Sequence, residues 1–440
     1  DLLLKTKKII LLLGDAAVTA EQASRDEGDF IGLIPDTVAW APDGSRFYYH
    51  AGSNQPHRSD RNAVFEVSRA GAKPRRLSEE ERRDLPPLAA LHPNPESRNF
   101  TRDRKWFVYQ RAGDVFLLEV STGRRRRILN TDADEANPRF SHDDRQVLFE
   151  SGNNLYGWIL DSGELRQFTR FRSGVDPDKK PETEFRKFLE KQQLELFGVV
   201  RDEQQERESR KKEAIAGSGR PLDPYWLTPE QTVSQLDLAP DGKRATFVLT
   251  ERPGQAAAVL YQRPVTKSGF TEPATTRPKV GDRTATSKMG LLTLADGTTQ
   301  WVDTEPFRRP VTLQGPWWSP DGRHAVVKVL SRDFKDLWLA RLDPDTGALR
   351  PLFHDHDDAW IPIFPSPPAR WMPDSRALFL TSERDGYRHL YTIDLEGVLR
   401  QRTRGRFDLW VDAPAPHLSR DGRRWYFHAN LDDPAAFNLY

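Results

Sequence analysis

Short alternations of apolar and polar residues recur along this chain, and each follows a turn of one composition. The fullest copies are Trp40-Ala41-Pro42-Asp43-Gly44, Leu238-Ala239-Pro240-Asp241-Gly242 and Trp318-Ser319-Pro320-Asp321-Gly322. Degenerate copies are Phe100-Thr101-Arg102-Asp103, Phe140-Ser141-His142-Asp143-Asp144, Trp371-Met372-Pro373-Asp374-Ser375 and Leu418-Ser419-Arg420-Asp421-Gly422. Proline fixes φ, aspartate bonds its own backbone and glycine takes positive φ, so each copy predicts a hairpin turn. After the third turn, residues 145–149 alternate as a strand and Asn153-Asn154 reverses the chain. Leu155–Leu160 forms the next strand, and Asp161-Ser162-Gly163 leads into Glu164–Thr169. With the strand ending near Phe140, this predicts a four-stranded antiparallel blade in about 40 residues. The same order returns through 377–381, Asp385-Gly386, His389–Leu395, Glu396-Gly397 and Leu399–Thr403.

The seven turn aspartates lie 60, 40, 98, 80, 53 and 47 residues apart. The short spacings fit one blade each and the long ones carry insertions. A row of unrelated hairpins in a β-sandwich would not repeat one order seven times, so the fold expected is all-β: a β-propeller of about seven blades, or eight if an end strand closes the ring. The largest insertion, 181–216, changes period. From Pro181 to Lys212 it is rich in Glu, Lys, Gln, Arg and Leu. Phe185, Phe188, Leu189, Gln192, Leu196 and Val199 fall at helical spacing, which predicts a helix with one apolar face. Beyond Asp202 it turns wholly polar, as a solvated helix end does.

Composition narrows the class. Lys and Arg number 66 against 65 Asp and Glu, a formal net charge of +1, which lacks the basic excess that phosphate neutralisation needs. Nucleic acid is therefore not an expected partner. The absence of cysteine excludes disulfides, thiolate catalysis and Cys-ligated metal centres. Twelve Trp and 23 Phe are too many for a disordered chain. No apolar run reaches the roughly 18 residues of a membrane span. At the start, Lys5, Lys7 and Lys8 precede Ile9–Leu13, and Val18-Thr19-Ala20 resembles a cleavage site, although Asp15 interrupts the apolar segment. Residues 1–20 thus read as an export-signal remnant or an edge strand, with 21–440 as the propeller.

The blade text resembles the propeller of the prolyl oligopeptidase family of serine peptidases, in its dipeptidyl peptidase IV-like branch. The residues that carry the resemblance are Trp371-Met372-Pro373-Asp374-Ser375 and Ser382-Glu383-Arg384-Asp385-Gly386-Tyr387-Arg388-His389-Leu390-Tyr391, continuing through Thr403-Arg404-Gly405-Arg406-Phe407-Asp408. Further stretches are Thr276–Asp282, Gly290-Leu291-Leu292, Trp301-Val302-Asp303, Leu194-Glu195-Leu196-Phe197 and Thr19-Ala20-Glu21-Gln22-Ala23. In that family an α/β-hydrolase domain carrying a Ser-Asp-His triad follows the propeller. No Gly-x-Ser-x-Gly nucleophile elbow occurs in this sequence, and Asn438-Leu439-Tyr440 reads as a strand of the last blade. The resemblance therefore implies the gating portion of an exported (periplasmic or secreted) peptidase acting on short peptides, inactive without its hydrolase domain. That domain and the peptide are the implied partners, a homodimer is compatible with the reading, and a cytoplasmic location stays open. A stand-alone binding or scaffold propeller, like the translocation-associated periplasmic ones, is the alternative.

The resemblance also implies paired acidic residues that hold a peptide's free amino terminus. The candidates are Asp134 and Glu135, before the third blade's first strand, and Glu203 and Glu206, on the polar end of the helix. Glu79-Glu80-Glu81 is expected in a solvated loop, and Arg124 to Arg127 on a solvated strand edge. His354-Asp355-His356-Asp357-Asp358 offers metal-ligand types, but it is expected in an inter-blade loop with nothing elsewhere to complete a site. No metal or cofactor, and no catalytic residue, is expected in this chain.

Overall fold

In the computed structural model the repeated turn joins the first strand of a sheet to its second at Asp43, Asp143, Asp241, Asp321 and Asp374, and leads into the strand Trp106–Arg111 at Asp103. The structure describes residues 38–50, 63–71, 73–91, 98–176, 223–253, 260–275, 284–361, 369–410, 416–419 and 422–440, with individual residues between 185 and 210. The expected export segment 1–20, the Thr19–Ala23 and Leu194–Phe197 stretches, Leu196 and Val199 of the helix, and Asp421 lie outside these, as do residues 276–282. All six described anchors accept the amide two residues on through Oδ1: Asp43 from Ser45 (3.0 Å), Asp103 from Lys105 (3.0 Å), Asp143 from Arg145 (3.2 Å), Asp241 from Lys243 (2.8 Å), Asp321 from Arg323 (3.1 Å) and Asp374 from Arg376 (3.0 Å). The residue after each aspartate takes positive φ: Gly44, Gly242 and Gly322 in the full copies, but Arg104, Asp144 and Ser375 in the degenerate ones. Two of those replacements have a reason. Asp144 accepts the Arg102 amide of the preceding turn (2.9 Å), and Ser375 accepts the Asp321 amide (3.1 Å). The polar side chain ties one turn to the next, which offsets the cost of a left-handed residue.

The chain divides into two compact units, 1–152 and 153–440. In the first, β1 (Val38–Trp40), β2 (Arg46–His50), β3 (Val64–Ser68) and β4 (Arg75–Arg76) form a four-stranded antiparallel sheet in sequence order. Two short helices follow, α1 (Glu79–Asp84) and α2 (Leu88–Leu91). Next come the three-stranded sheet β5 (Trp106–Arg111), β6 (Asp114–Glu119) and β7 (Arg125–Arg127), then the antiparallel pair β8 (Ala136–Phe140) and β9 (Gln146–Ser151). Ala39, Tyr48, Val64, Leu77, Leu88, Leu91, Phe107 and Tyr109 make one core cluster between the first two sheets, so the helices serve to close that core.

The second unit begins with the pair β10 (Asn154–Ile159) and β11 (Leu165–Gln167), then the parallel pair β12 (Phe171–Ser173) and β13 (Tyr225–Leu227). A four-stranded sheet joins β14 (Gln231–Leu238), β15 (Arg244–Glu251), β18 (Thr286–Thr293) and β19 (Thr299–Trp301), with the hairpin β16 (Leu260–Arg263) and β17 (Glu272–Thr275) inserted between β15 and β18. Two more four-stranded sheets follow in plain sequence order. One is β20 (Val311–Trp318), β21 (Ala325–Ser331), β22 (Asp336–Leu342) and β23 (Leu349–His356); the other is β24 (Ala369–Trp371), β25 (Ala377–Ser382), β26 (His389–Asp394) and β27 (Leu399–Gln401). The pairs β28 (His417–Leu418) with β29 (Trp425–Tyr426) and β30 (His428–Asp433) with β31 (Ala436–Leu439) end the chain. The β16–β17 hairpin accounts for the long spacing after Asp241. The described residues of the 181–216 insertion, Phe185 to Arg210, are helical as expected.

The anchors make two predictions. Asp321 Oδ1 accepts both the Ser319 hydroxyl (2.6 Å) and the Arg323 amide. Asp321→Ala is expected to lower unfolding free energy by about 1 kcal/mol, the worth of such a local bond, read as a shifted denaturant midpoint with an unchanged slope. The Ser319 hydroxyl, with the Arg323 amide, also holds the Asp321 carboxyl below its ordinary pKa. The Lys105 amide and then the Thr101 hydroxyl depress Asp103 to about 2. Folded values below unfolded ones mean stability that is present above the ordinary aspartate range and lost as pH falls through the folded values. The melting temperature should therefore drop between about pH 4 and pH 2, and by less in Asp321→Asn than in the parent.

Candidate functional site

Asp134 and Glu135 sit together just before β8, but in different settings. Asp134 is exposed, whereas Glu135 is 2% exposed. The cause is a long-range tie. The Glu135 amide donates to the Gly113 carbonyl (2.7 Å) in the β5–β6 turn, drawing the segment against that turn. Gly113 has φ +88°, a backbone conformation that favours glycine, and a Cβ there would stand 2.6 Å from Asp134 Oδ1, so the Asp134 side chain would have to turn aside. Glu135 Oε1 accepts the Thr131 hydroxyl (2.5 Å), while its Oε2 is buried without a hydrogen-bond partner. A carboxylate half satisfied in this way is an acceptor for a cationic donor.

Glu203 and Glu206 lie on the helical insert and are exposed. Glu206 pairs with Arg210 one turn on (2.5 Å), an ordinary surface contact. On the same insert Phe185 and Phe188 are 71% and 60% exposed, so its apolar face is uncovered where described.

The other charged runs are occupied by the fold. Glu79-Glu80-Glu81 is not a loop but the first turn of α1. Ser78 and Glu81 form its capping box, with Ser78 Oγ accepting the Glu81 amide and Glu81 accepting the Ser78 amide (2.8 Å). Glu81 also pairs with Arg75 (2.7 Å). From the arginine run, Arg125 pairs with Asp84, and Arg127 with Asp114 (3.2 Å).

The His354–Asp358 run departs most from expectation. Most of it is strand: β23 continues to His356, and alternation puts His354 and His356 on one face and Asp355 on the other. Asp355 accepts the Ser382 hydroxyl (2.5 Å) from β25; burial raises its pKa against that bond and the Arg384 charge. On the histidine face the register sets Asp336 opposite His356 and Trp338 opposite His354. Asp336 Oδ1 meets His354 Nε2 at 2.7 Å and His356 Nδ1 at 2.8 Å, and Arg309 holds its Oδ2. The Asp336 amide is fixed by Ser331 Oγ (2.9 Å), and the His354 ring stacks flat on Trp338 at 4.8 Å. Asp336 thus completes the three-ligand cluster that sequence reasoning found no partner for. The available signal was the His-x-His alternation one hairpin away from an aspartate that opens the preceding strand.

The family described as the dipeptidyl peptidase IV (DPP IV) N-terminal region matches residues 228–440. No curated protein matches the sequence. The crystal structure of Porphyromonas gingivalis dipeptidyl peptidase 4 is similar at TM-score 0.56 and 15% identity, over 97% of this chain and 54% of that one. That of a putative dipeptidyl aminopeptidase IV from Bacteroides ovatus ATCC 8483 gives TM-score 0.48 and 14% identity, over 91% and 51%. The chain spans about half the length of these solved structures. The likeness to the first shows the fold, a β-propeller.

Proposed function

We infer, from the membership of residues 228–440 in the dipeptidyl peptidase IV N-terminal region family, that the chain is the propeller portion of a serine peptidase of that kind. In the whole protein it would stand over an α/β-hydrolase domain and admit short, flexible peptides while refusing folded ones. The observation that carries the reading is the family match over the second half of the chain. Glu135 supplies a candidate anchor: a buried carboxylate with one unpartnered oxygen suits the ammonium group of a peptide's first residue, with the exposed Asp134 beside it in sequence. Export to the periplasm or outside remains part of the proposal. Among the described residues no helix is long and apolar enough to cross a membrane.

The test uses the protein together with the region encoded after residue 440. It should cleave chromogenic Xaa-Pro substrates, whereas the 440-residue chain alone should give no turnover, because an activated serine, its base and oxyanion donors are needed together. Glu135→Gln in the longer protein should raise KM for free-amine peptides by roughly tenfold, about 1.4 kcal/mol, and leave N-acetylated peptides unaffected. Fluorophosphonate-sensitive cleavage by the isolated chain would overturn the reading.

The exposed Phe185 and Phe188 favour a second reading, a scaffold that docks a partner through the insert. Phe185→Glu/Phe188→Glu should then abolish one stoichiometric complex in size-exclusion chromatography and leave peptide cleavage intact.

A further inference from the structure

We propose that Asp336, His354 and His356 on the β22–β23 hairpin form a binding site for a divalent first-row transition ion of the zinc class. The site owes nothing to the peptidase reading and stands on its own geometry. One ligand atom from each residue lies within 4.8 Å of the other two, and all three project from one face of a paired hairpin. A tetrahedral zinc shell with bonds of about 2.0–2.1 Å places its ligand atoms about 3.3 Å apart. The Asp336-to-histidine separations of 2.7 and 2.8 Å need to open by only about half an ångström to reach it.

The surroundings orient the ligands. Trp338 stacks on His354 and fixes its ring plane. Arg309 occupies Asp336 Oδ2, which leaves Oδ1 as a single-oxygen ligand between the imidazoles. Such contacts are how a protein aims ligating side chains. The Asp336 side chain is 7% exposed, while both histidines are about half exposed at 48%, so the floor is buried and the outer face is open. Two imidazoles and one carboxylate favour zinc, cobalt and related ions over magnesium or calcium, which prefer oxygen shells. With three protein ligands, a further position faces water, as in open rather than closed zinc sites. Asp358, fully exposed and 3.3 Å from His356 Nε2, stands outside the shell and adds negative charge at the entrance.

The experiment titrates the chelator-stripped full chain with Co2+, read by its visible absorption, and then displaces it with Zn2+. One Co2+ per chain should bind, with bands typical of a low-coordinate site, and Zn2+ should remove them. His356→Gln should weaken binding by about tenfold or more, and His428→Gln, in the strand pair at the chain's end, should leave it unchanged. Melting temperature without metal checks folding of the variants, and Zn2+ should raise it in the parent but not in His356→Gln. His354→Gln serves in the same way should His356→Gln fold poorly. Absence of stoichiometric Co2+ binding, or equal affinity in the parent and both histidine variants, would overturn the site and leave Asp336 as a hub of hydrogen bonds alone.

Discussion

Glu383→Ala is expected to destabilise the second unit by about 3 kcal/mol, the cost of stranding a buried charge. Arg388 is buried, with an 8% exposed side chain, and its Nε donates to Glu383 Oε1 (2.9 Å) while Nη2 bonds the same oxygen. Its Nη1 already lacks a hydrogen-bond partner. Removing the carboxylate leaves the guanidinium desolvated with its charge unmatched. Glu383 itself is 47% exposed, so its own desolvation adds little and the loss falls almost wholly on Arg388. Arg388→Met should cost less than Glu383→Ala, because it removes the charge together with its need for a partner. A chemical-denaturation series of the two variants checks the order. Equal midpoints for Glu383→Ala and the parent would mean that water reaches Arg388.

That pair lies in the run that carries the family resemblance, and the structure ties that run into the fold. Ser382 reaches Asp355, Gly386 takes φ +96°, and the Arg388 amide donates to Asp408 Oδ1 (2.7 Å). His389 meets the Gly405 carbonyl through Nε2 (3.1 Å) and Thr403 Oγ1 through Nδ1 (3.1 Å). A carbonyl only accepts, so Nε2 carries the proton and Nδ1 accepts from the threonine hydroxyl. Thr403 Oγ1 in turn accepts the Leu390 amide (2.9 Å). The run and the distant 403–408 stretch quoted with it are thus two halves of one network that fastens the β25–β26 hairpin to the segment after β27.

What the sequence disclosed was local. The Asp-anchored turns fix their own geometry within four residues, so hairpins, strands and the change to helical period at 181 could all be read in order. What it hid depends on pairing between distant segments. Glu135 is buried because Gly113, 22 residues earlier, accepts its amide and leaves room for Asp134. His354 and His356 gain Asp336 only through the β22–β23 register, which itself shifts between Leu339 and Ala340. An irregularity of that kind moves every cross-strand neighbour by one, and no count along the chain reveals it.

Gly290→Ala should destabilise the same unit by about 2–3 kcal/mol through overpacking, although its backbone suits any residue. Gly290 is opposite Phe247 in β15 and opposite Trp301 in β19, so it stands between two aromatic neighbours in adjacent strands. With no side chain there, the two rings meet over it edge to face at 5.6 Å. A Cβ at Gly290 would lie 2.6 Å from Phe247 Cε1. The ring has nowhere to go, since Phe171 packs against it at 5.0 Å and Phe247 is itself buried. The methyl must therefore part the Phe247–Trp301 pair, losing a contact worth about 0.5–1.5 kcal/mol in addition to the strain. Phe247→Leu alone should cost about 1 kcal/mol and vacates the space that the new methyl enters. In a double-mutant cycle, Gly290→Ala/Phe247→Leu should then be at least about 1 kcal/mol more stable than the two single losses add to. Strict additivity of the two losses would mean that the glycine is required by the strand's backbone and not by the ring that crosses it.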